Sequence, residues 1–105
     1  MIEVCTTYDL IPGINQQAYA EWVKKSVAVW LQAPGLIEIR ARRNLIASPL
    51  VQNTGVWETL ADWKKFNESA AWQTILTEAR SFTTNARIEI WGTSPLAAET
   101  LRPKR

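Results

Sequence analysis

The chain alternates between two hydrophobic periods, and the order of that alternation limits its fold more than any other feature. Ile2 to Asp9 places Ile2, Val4, Thr6 and Tyr8 on one side and Glu3, Cys5 and Thr7 on the other, the period-two signature of a strand. Pro12-Gly13 interrupts it. From Asn15 to Gln32 the polar positions Gln17, Glu21, Lys24, Lys25 and Gln32 fall on one narrow stripe at 3.6-residue spacing, which predicts a helix. Tyr19, Trp22, Val23, Val27 and Trp30 spread over the rest of its surface, so this helix must meet more than one neighbour. Ala33-Pro34-Gly35 ends it.

Period two returns at Leu36 to Arg43 and again at about Val51 to Leu60, where Asn53-Thr54-Gly55 reads as a bulge or a late start. Thr59 with Asp62 predicts an N-cap for a helix beginning near Ala61, broken at Asn67 to Ser69. Ser69 caps a further stretch in which Trp72, Ile75, Leu76, Ala79 and Phe82 form one apolar stripe. Arg87 to Thr93 is the last strand. The order is β-α-β-β-α-β, which points to an α+β, ferredoxin-like split βαβ arrangement: an antiparallel sheet with its helices on one face. Ile2, Val4, Ile37, Ile39, Trp57, Ile88 and Ile90 are assigned to the helix-covered face. Glu3, Cys5, Thr7, Leu36, Glu38, Arg40, Val56, Glu58, Glu89 and Trp91 are assigned to the open face. The expected organisation is one domain over residues 1–93 and an irregular basic tail over 94–105.

Two shortages narrow the chemistry. The chain has no histidine, which removes the commonest general base, metal ligand and haem axial ligand. Its one cysteine, Cys5, permits neither an internal disulfide nor a thiolate metal cluster. No metal and no cofactor is therefore expected, and any catalysis falls to carboxylates, tyrosines, lysines, arginines, amides and hydroxyls. The net charge of +2 comes from Arg102, Lys104 and Arg105; without them nine basic residues face ten acidic ones. A near-neutral body with no basic run interleaved with aromatics argues against a nucleic-acid partner. No apolar run is long enough to span a bilayer and no leader opens the chain, so a cytoplasmic protein without a membrane partner is expected.

From the third strand onward the residues become recognisable. Val56-Trp57-Glu58-Thr59, followed by Asp62, Phe66, Ser69 and Trp72, resembles the antibiotic biosynthesis monooxygenase-like family. The opening Tyr8-Asp9-Leu10-Ile11-Pro12-Gly13 is also similar to the first strand and turn of NIPSNAP-like proteins. Both groups lie in the dimeric α+β barrel superfamily, and the resemblance spans roughly residues 2–92. It implies a homodimer in which two open sheet faces pack across a two-fold axis. Glu3, Glu38, Glu58 and Glu89 with Arg40, Arg42 and Arg87 would then have to pair, Glu58 with Arg40 or Arg42. The other reading of the same residues is a charged, solvent-facing sheet in a monomer.

The resemblance also implies a pocket between sheet and helices with Trp57 as an aromatic wall for a planar apolar ligand. The residues expected to line it are Trp57, Tyr8, Thr6, Trp22, Leu76 and Trp72, with Tyr19 as a further polar group and Arg43 at the rim. No catalytic residue can be singled out. Haem-degrading relatives carry an asparagine at about Thr6 and a histidine at Leu76; neither is retained here, which disfavours haem degradation. A cofactor-independent oxygenase acting on a planar aromatic or polyketide-like substrate remains, against a non-catalytic dimeric binding or structural module. An open cavity beside Trp57 with an inward polar group separates the first from a core in which Trp57, Tyr8 and Leu76 touch without a void.

Overall fold

The computed structural model describes residues 1–97, 100 and 102–104. Of the expected tail, Ala98, Glu99, Leu101 and Arg105 lie outside the described residues. The elements run β1 (Ile2–Leu10), α1 (Gln16–Trp30), β2 (Leu36–Arg43), β3 (Val51–Trp57), α2 (Leu60–Asn67), α3 (Ala70–Ala79) and β4 (Thr83–Trp91). The four strands form one antiparallel sheet in the order β2-β3-β1-β4. Each β-α-β unit thus leaves a gap that the other unit fills, which is the ferredoxin-like α+β arrangement the alternating periods predict.

Helix ends follow side-chain chemistry. Asn15 caps α1 by accepting from the Ala18 amide at 3.0 Å, so the helix starts one residue after the expected Asn15. Thr59 caps α2 by accepting from the Asp62 amide at 3.1 Å while its own hydroxyl donates to the Asp62 carboxylate at 2.8 Å. Ser69 caps α3 by accepting from the Trp72 amide at 3.3 Å. Phe82 falls beyond α3 rather than on its stripe, yet it still packs on Trp22, with ring centroids 5.7 Å apart.

Two departures from simple alternation move side chains between faces. The pairing of β2 with β3 shifts between Leu36 and Glu38, so Leu36 stands opposite Trp57 and packs on the core. Ile37 is the extra residue and is 45% exposed. The expected assignments of Leu36 to the open face and Ile37 to the helix face are therefore exchanged, because one inserted residue inverts the pattern on one side of it. On β4, Asn85 adopts φ 54, and the register against β1 shifts between Thr7 and Asp9. Left-handed backbone there hides the period, so the strand begins at Thr83 rather than at the expected Arg87, and it ends at Trp91 rather than Thr93. Asn53-Thr54-Gly55 is no bulge: β3 pairs with β1 without interruption from Ile2↔Trp57 to Tyr8↔Val51. The strand stops at Trp57, short of the expected Leu60.

The core is built on Trp57, which is 0% exposed and clusters with Val4, Trp30 and Phe66. Its indole folds back along its own strand over Gly55: a Cβ placed on Gly55 would lie 2.9 Å from Trp57 Nε1. Glycine is needed there because the ring occupies the volume of any side chain. Gly55→Ala should therefore destabilise the fold by about 1–3 kcal/mol, the range for overpacking. A thermal melt should show Tm lowered by roughly 4–8 °C for each kcal/mol, and an unchanged melt would mean that the ring does not depend on the glycine.

Candidate functional site

A cavity of about 450 Å³ lies between the sheet and the helical layer. It exists because helices and sheet meet firmly at one end and part at the other. At the firm end, Trp57 packs at a tilt on Phe66 with ring centroids 5.1 Å apart, Phe66 likewise on Trp72 at 4.8 Å, and Trp72 stacks on Trp30 at 5.2 Å. Toward β4 the helices stand off, and Leu76 of α3 and Ile88 of β4 both line the void while remaining well exposed. The wall made by α1 and α3 is fixed by the Trp22 indole donating to the Ile75 carbonyl at 3.2 Å and by the Lys25–Glu78 ion pair at 2.9 Å.

Trp57, Tyr8, Thr6, Trp22, Leu76 and Trp72 all line this one cavity. Tyr8 and Thr6 reach it from β1, Trp57 from the end of β3, Trp22 from α1, and Trp72 and Leu76 from α3. Trp57, Tyr8 and Leu76 are thus arranged around a void. Arg43 is not among the lining residues, because β2 ends at that residue and leaves it exposed. Asn53 is a lining residue that the sequence reading missed. Its signal was present: in a strand that ends in Trp57, positions 55 and 53 share the face of 57.

One group of polar side chains in the cavity centres on Tyr8. The Tyr8 and Tyr19 hydroxyls are hydrogen bonded at 2.8 Å, and Asn53, paired in register with Thr6, brings its side chain to the Tyr8 hydroxyl. Tyr19 stands behind Tyr8, half-buried and stacked on Trp22 with ring centroids 6.0 Å apart. Burial, and secondly the neighbouring Tyr19 hydroxyl, push the Tyr8 phenol well above the usual tyrosine range. Over Gly55, Trp57 Nε1 is buried and has no hydrogen-bond partner among the described residues. Arg87 is the one charged residue among those lining the cavity, and no carboxylate reaches it. The site therefore offers hydroxyl and amide groups and one guanidinium around a mostly apolar space.

The opposite sheet face is polar. Arg40 bonds Glu3 and lies 3.6 Å from Glu38, and Arg87 lies 4.0 Å from Glu89. The expected pairing of Glu58 with Arg40 or Arg42 does not occur: Glu58 follows the last residue of β3 and is exposed, while the strand pairing gives Arg40 to Glu3. Cys5, half-buried, shares a second concavity on this face with Arg42, Gln52, Thr54 and Trp91. Near the end of β1, Asp9 holds the β2–β3 connection, accepting from the Ser48 hydroxyl, from the Leu50 amide at 2.9 Å and from Asn85 at 3.2 Å. The Ser48 bond chiefly, and the Asn85 bond next, keep its carboxyl below the ordinary aspartate value. No group of three or more metal-ligating side chains forms among the described residues, and no helix is long and apolar enough to cross a membrane.

The two tyrosines allow a direct check. Tyr19→Phe leaves Tyr8 as the sole tyrosine and removes the second cause of its shift but not the first. Ultraviolet titration should find the Tyr8 phenol in that variant easier to ionise than in the wild type, and still above the free value. The sign for stability follows: once pH passes about 10 the unfolded chain ionises while folded Tyr8 does not, so stability falls as pH rises. Titration of Tyr8 at the free value would show that its hydroxyl is in water.

No known family profile and no curated protein matches the sequence. Solved structures do. SnoaB, a cofactor-independent oxygenase from Streptomyces nogalater, superposes with a TM-score of 0.77 at 13% identity, over 97% of this chain and 97% of that one. A protein of Nitrosomonas europaea described as a candidate antibiotic biosynthesis monooxygenase gives 0.74 at 13% identity, over 89% and 98%. A dimeric ferredoxin-like protein of unknown function from Thermobifida fusca gives 0.74 at 6% identity, over 88% and 90%. At these identities the likeness is one of fold alone: the chain shares the ferredoxin-like α+β fold of these proteins.

Proposed function

We propose that the protein binds a small planar apolar molecule in the cavity beside Trp57 and acts on it as a cofactor-independent oxygenase. The observation that carries this reading is the cavity itself: mostly apolar, about 450 Å³, with Thr6, Tyr8 and Asn53 among its polar lining residues. That volume lies within the range of small-molecule sites, which runs from roughly 300 to 1,000 Å³. Flat walls from Trp22, Trp57 and Trp72 suit a flat ligand, since stacked rings need no fixed hydrogen-bond geometry. SnoaB, which shares the fold, is itself a cofactor-independent oxygenase.

In such chemistry the substrate supplies the electrons and dioxygen is the oxidant, so the protein has to favour an electron-rich anion of the substrate. A dry cavity with directed donors does that. Asn53 and Tyr8 would hold an oxyanion at the polar end. With no carboxylate among the lining residues and the Tyr8 phenol held protonated, the cavity supplies donors and no base, so the substrate has to enter already ionised, its proton given up to water. The same lack of a carboxylate favours, as the second reading, a module that binds its ligand without turning it over. Both readings place a second copy of the chain on the open sheet face; a neighbour that shares the fold is described as dimeric.

Tryptophan fluorescence titrated with planar phenols and quinols, with oxygen uptake followed in the same samples, tests the reading. Saturable quenching with oxygen consumption is expected. Asn53→Ala should lower turnover by about 10²–10³-fold, the usual cost of one oxyanion donor, with the protein still folded. Quenching without oxygen uptake would leave the binding module, and no quenching with any planar ligand would contradict both readings of the cavity.

A further inference from the structure

Along α1 the cavity is lined by Trp22, Val23, Ser26, Val27 and Trp30, an apolar wall with one hydroxyl in it. Apart from tyrosine and tryptophan, Ser26 is the one buried polar residue among the described residues, at 7% exposure. Trp22 and Trp30, one helical turn before and after it, both engage α3: the Trp22 indole donates to the Ile75 carbonyl, and Trp30 stacks on Trp72. Between two large indoles a small side chain leaves a recess. Alanine would leave nearly the same room, propagates a helix better and buries no oxygen. Packing accounts for a small residue at this position but not for a hydroxyl.

The hydroxyl has a fixed sense. It lies 2.7 Å from the Trp22 carbonyl, which can only accept, so its single hydrogen is committed there. No donor among the described residues bonds the Ser26 oxygen in return, and its lone pairs are open. Toward a bound molecule Ser26 can therefore act only as an acceptor. The sheet side is the reverse, since Asn53 and the protonated Tyr8 phenol are donors there. We infer that Ser26 is a specificity-determining residue: it accepts a hydrogen bond from a second substituent of the planar ligand, a hydroxyl or N–H that still carries its hydrogen. The ligand class is then a planar aromatic monoanion with two polar substituents in opposite protonation states, such as the monoanion of a fused-ring diol. This rests on the reading of the cavity as a ligand site, and it adds what the ligand has to carry.

Calorimetric titration of the wild type and of Ser26→Ala tests it, with the isomeric naphthalenediols, their monomethyl ethers and the parent naphthol as probes. The isomers vary the separation of the two oxygens, and each ether keeps both oxygens while losing one hydrogen. In the wild type at least one diol should bind roughly 3–10-fold more tightly than its own ether, the net worth of one neutral hydrogen bond. Ser26→Ala should abolish that preference and still bind the parent naphthol within about twofold of the wild type, since no hydrogen bond is lost there. Circular dichroism should show unchanged helix content, alanine being the best helix former; should the variant fail to fold, Ser26→Cys, similar in size and only a weak acceptor, takes its place. A wild type that prefers no diol over its ether overturns the role of Ser26 and leaves the cavity as a binding site. A preference that survives in the variant overturns it as well, because the acceptor then lies elsewhere. Binding of none of the probes overturns both readings.

Discussion

The structure depends on one contact, the indole of Trp57 lying along β3 over Gly55. Burying a tryptophan completely within a sheet of four strands needs depth, and the missing side chain at position 55 supplies it. Phe66, Trp72 and Trp30 then pack outward from that ring, so α1, α2 and α3 are aligned from one residue. Helices fixed at that end of the sheet cannot also lie flat on β4, and the space left over is the cavity. Core and candidate site are two consequences of the same packing.

The two faces of the sheet divide the remaining work. The helix face is apolar apart from Thr6, Tyr8 and Asn53, which gather where β1 and β3 run side by side. Isolated buried hydroxyls and amides are costly, and Tyr8 offsets that cost by meeting Tyr19 and Asn53. The open face is charged but largely self-paired through Glu3, Arg40 and Glu38, with Trp91 as its large exposed apolar group. Paired charges beside an exposed aromatic ring suit an interface that can also withstand water.

Much of this was legible in the sequence because periodicity is a physical requirement of strands and helices. The alternation of β1, the wide apolar surface of α1 and the Thr59 and Ser69 caps fix the element order, and Trp57 falls on the covered face by counting alone. What escaped has a common cause. The extra residue at Ile37 and the left-handed Asn85 change the register without a marker in composition, and each inverts or hides a stretch of pattern. Asn53 was lost for the opposite reason: Asn-Thr-Gly reads as a turn, whereas here the glycine exists to receive an indole and the asparagine belongs to a continuous strand. The partner of Arg40 was set by strand pairing across β1 and β3, which no spacing within β3 reveals.

The central claim is that a planar ligand enters beside Trp57, and the six indole N–H groups offer a direct view of it. In a nitrogen–proton correlation spectrum titrated with a planar phenol, the account predicts saturable shifts for the indoles of Trp57, Trp22 and Trp72, which surround the cavity. The exposed Trp91, on the other face of the sheet, should hold still. Shifts confined to Trp91, with the Trp57 signal unmoved at saturation, would contradict it.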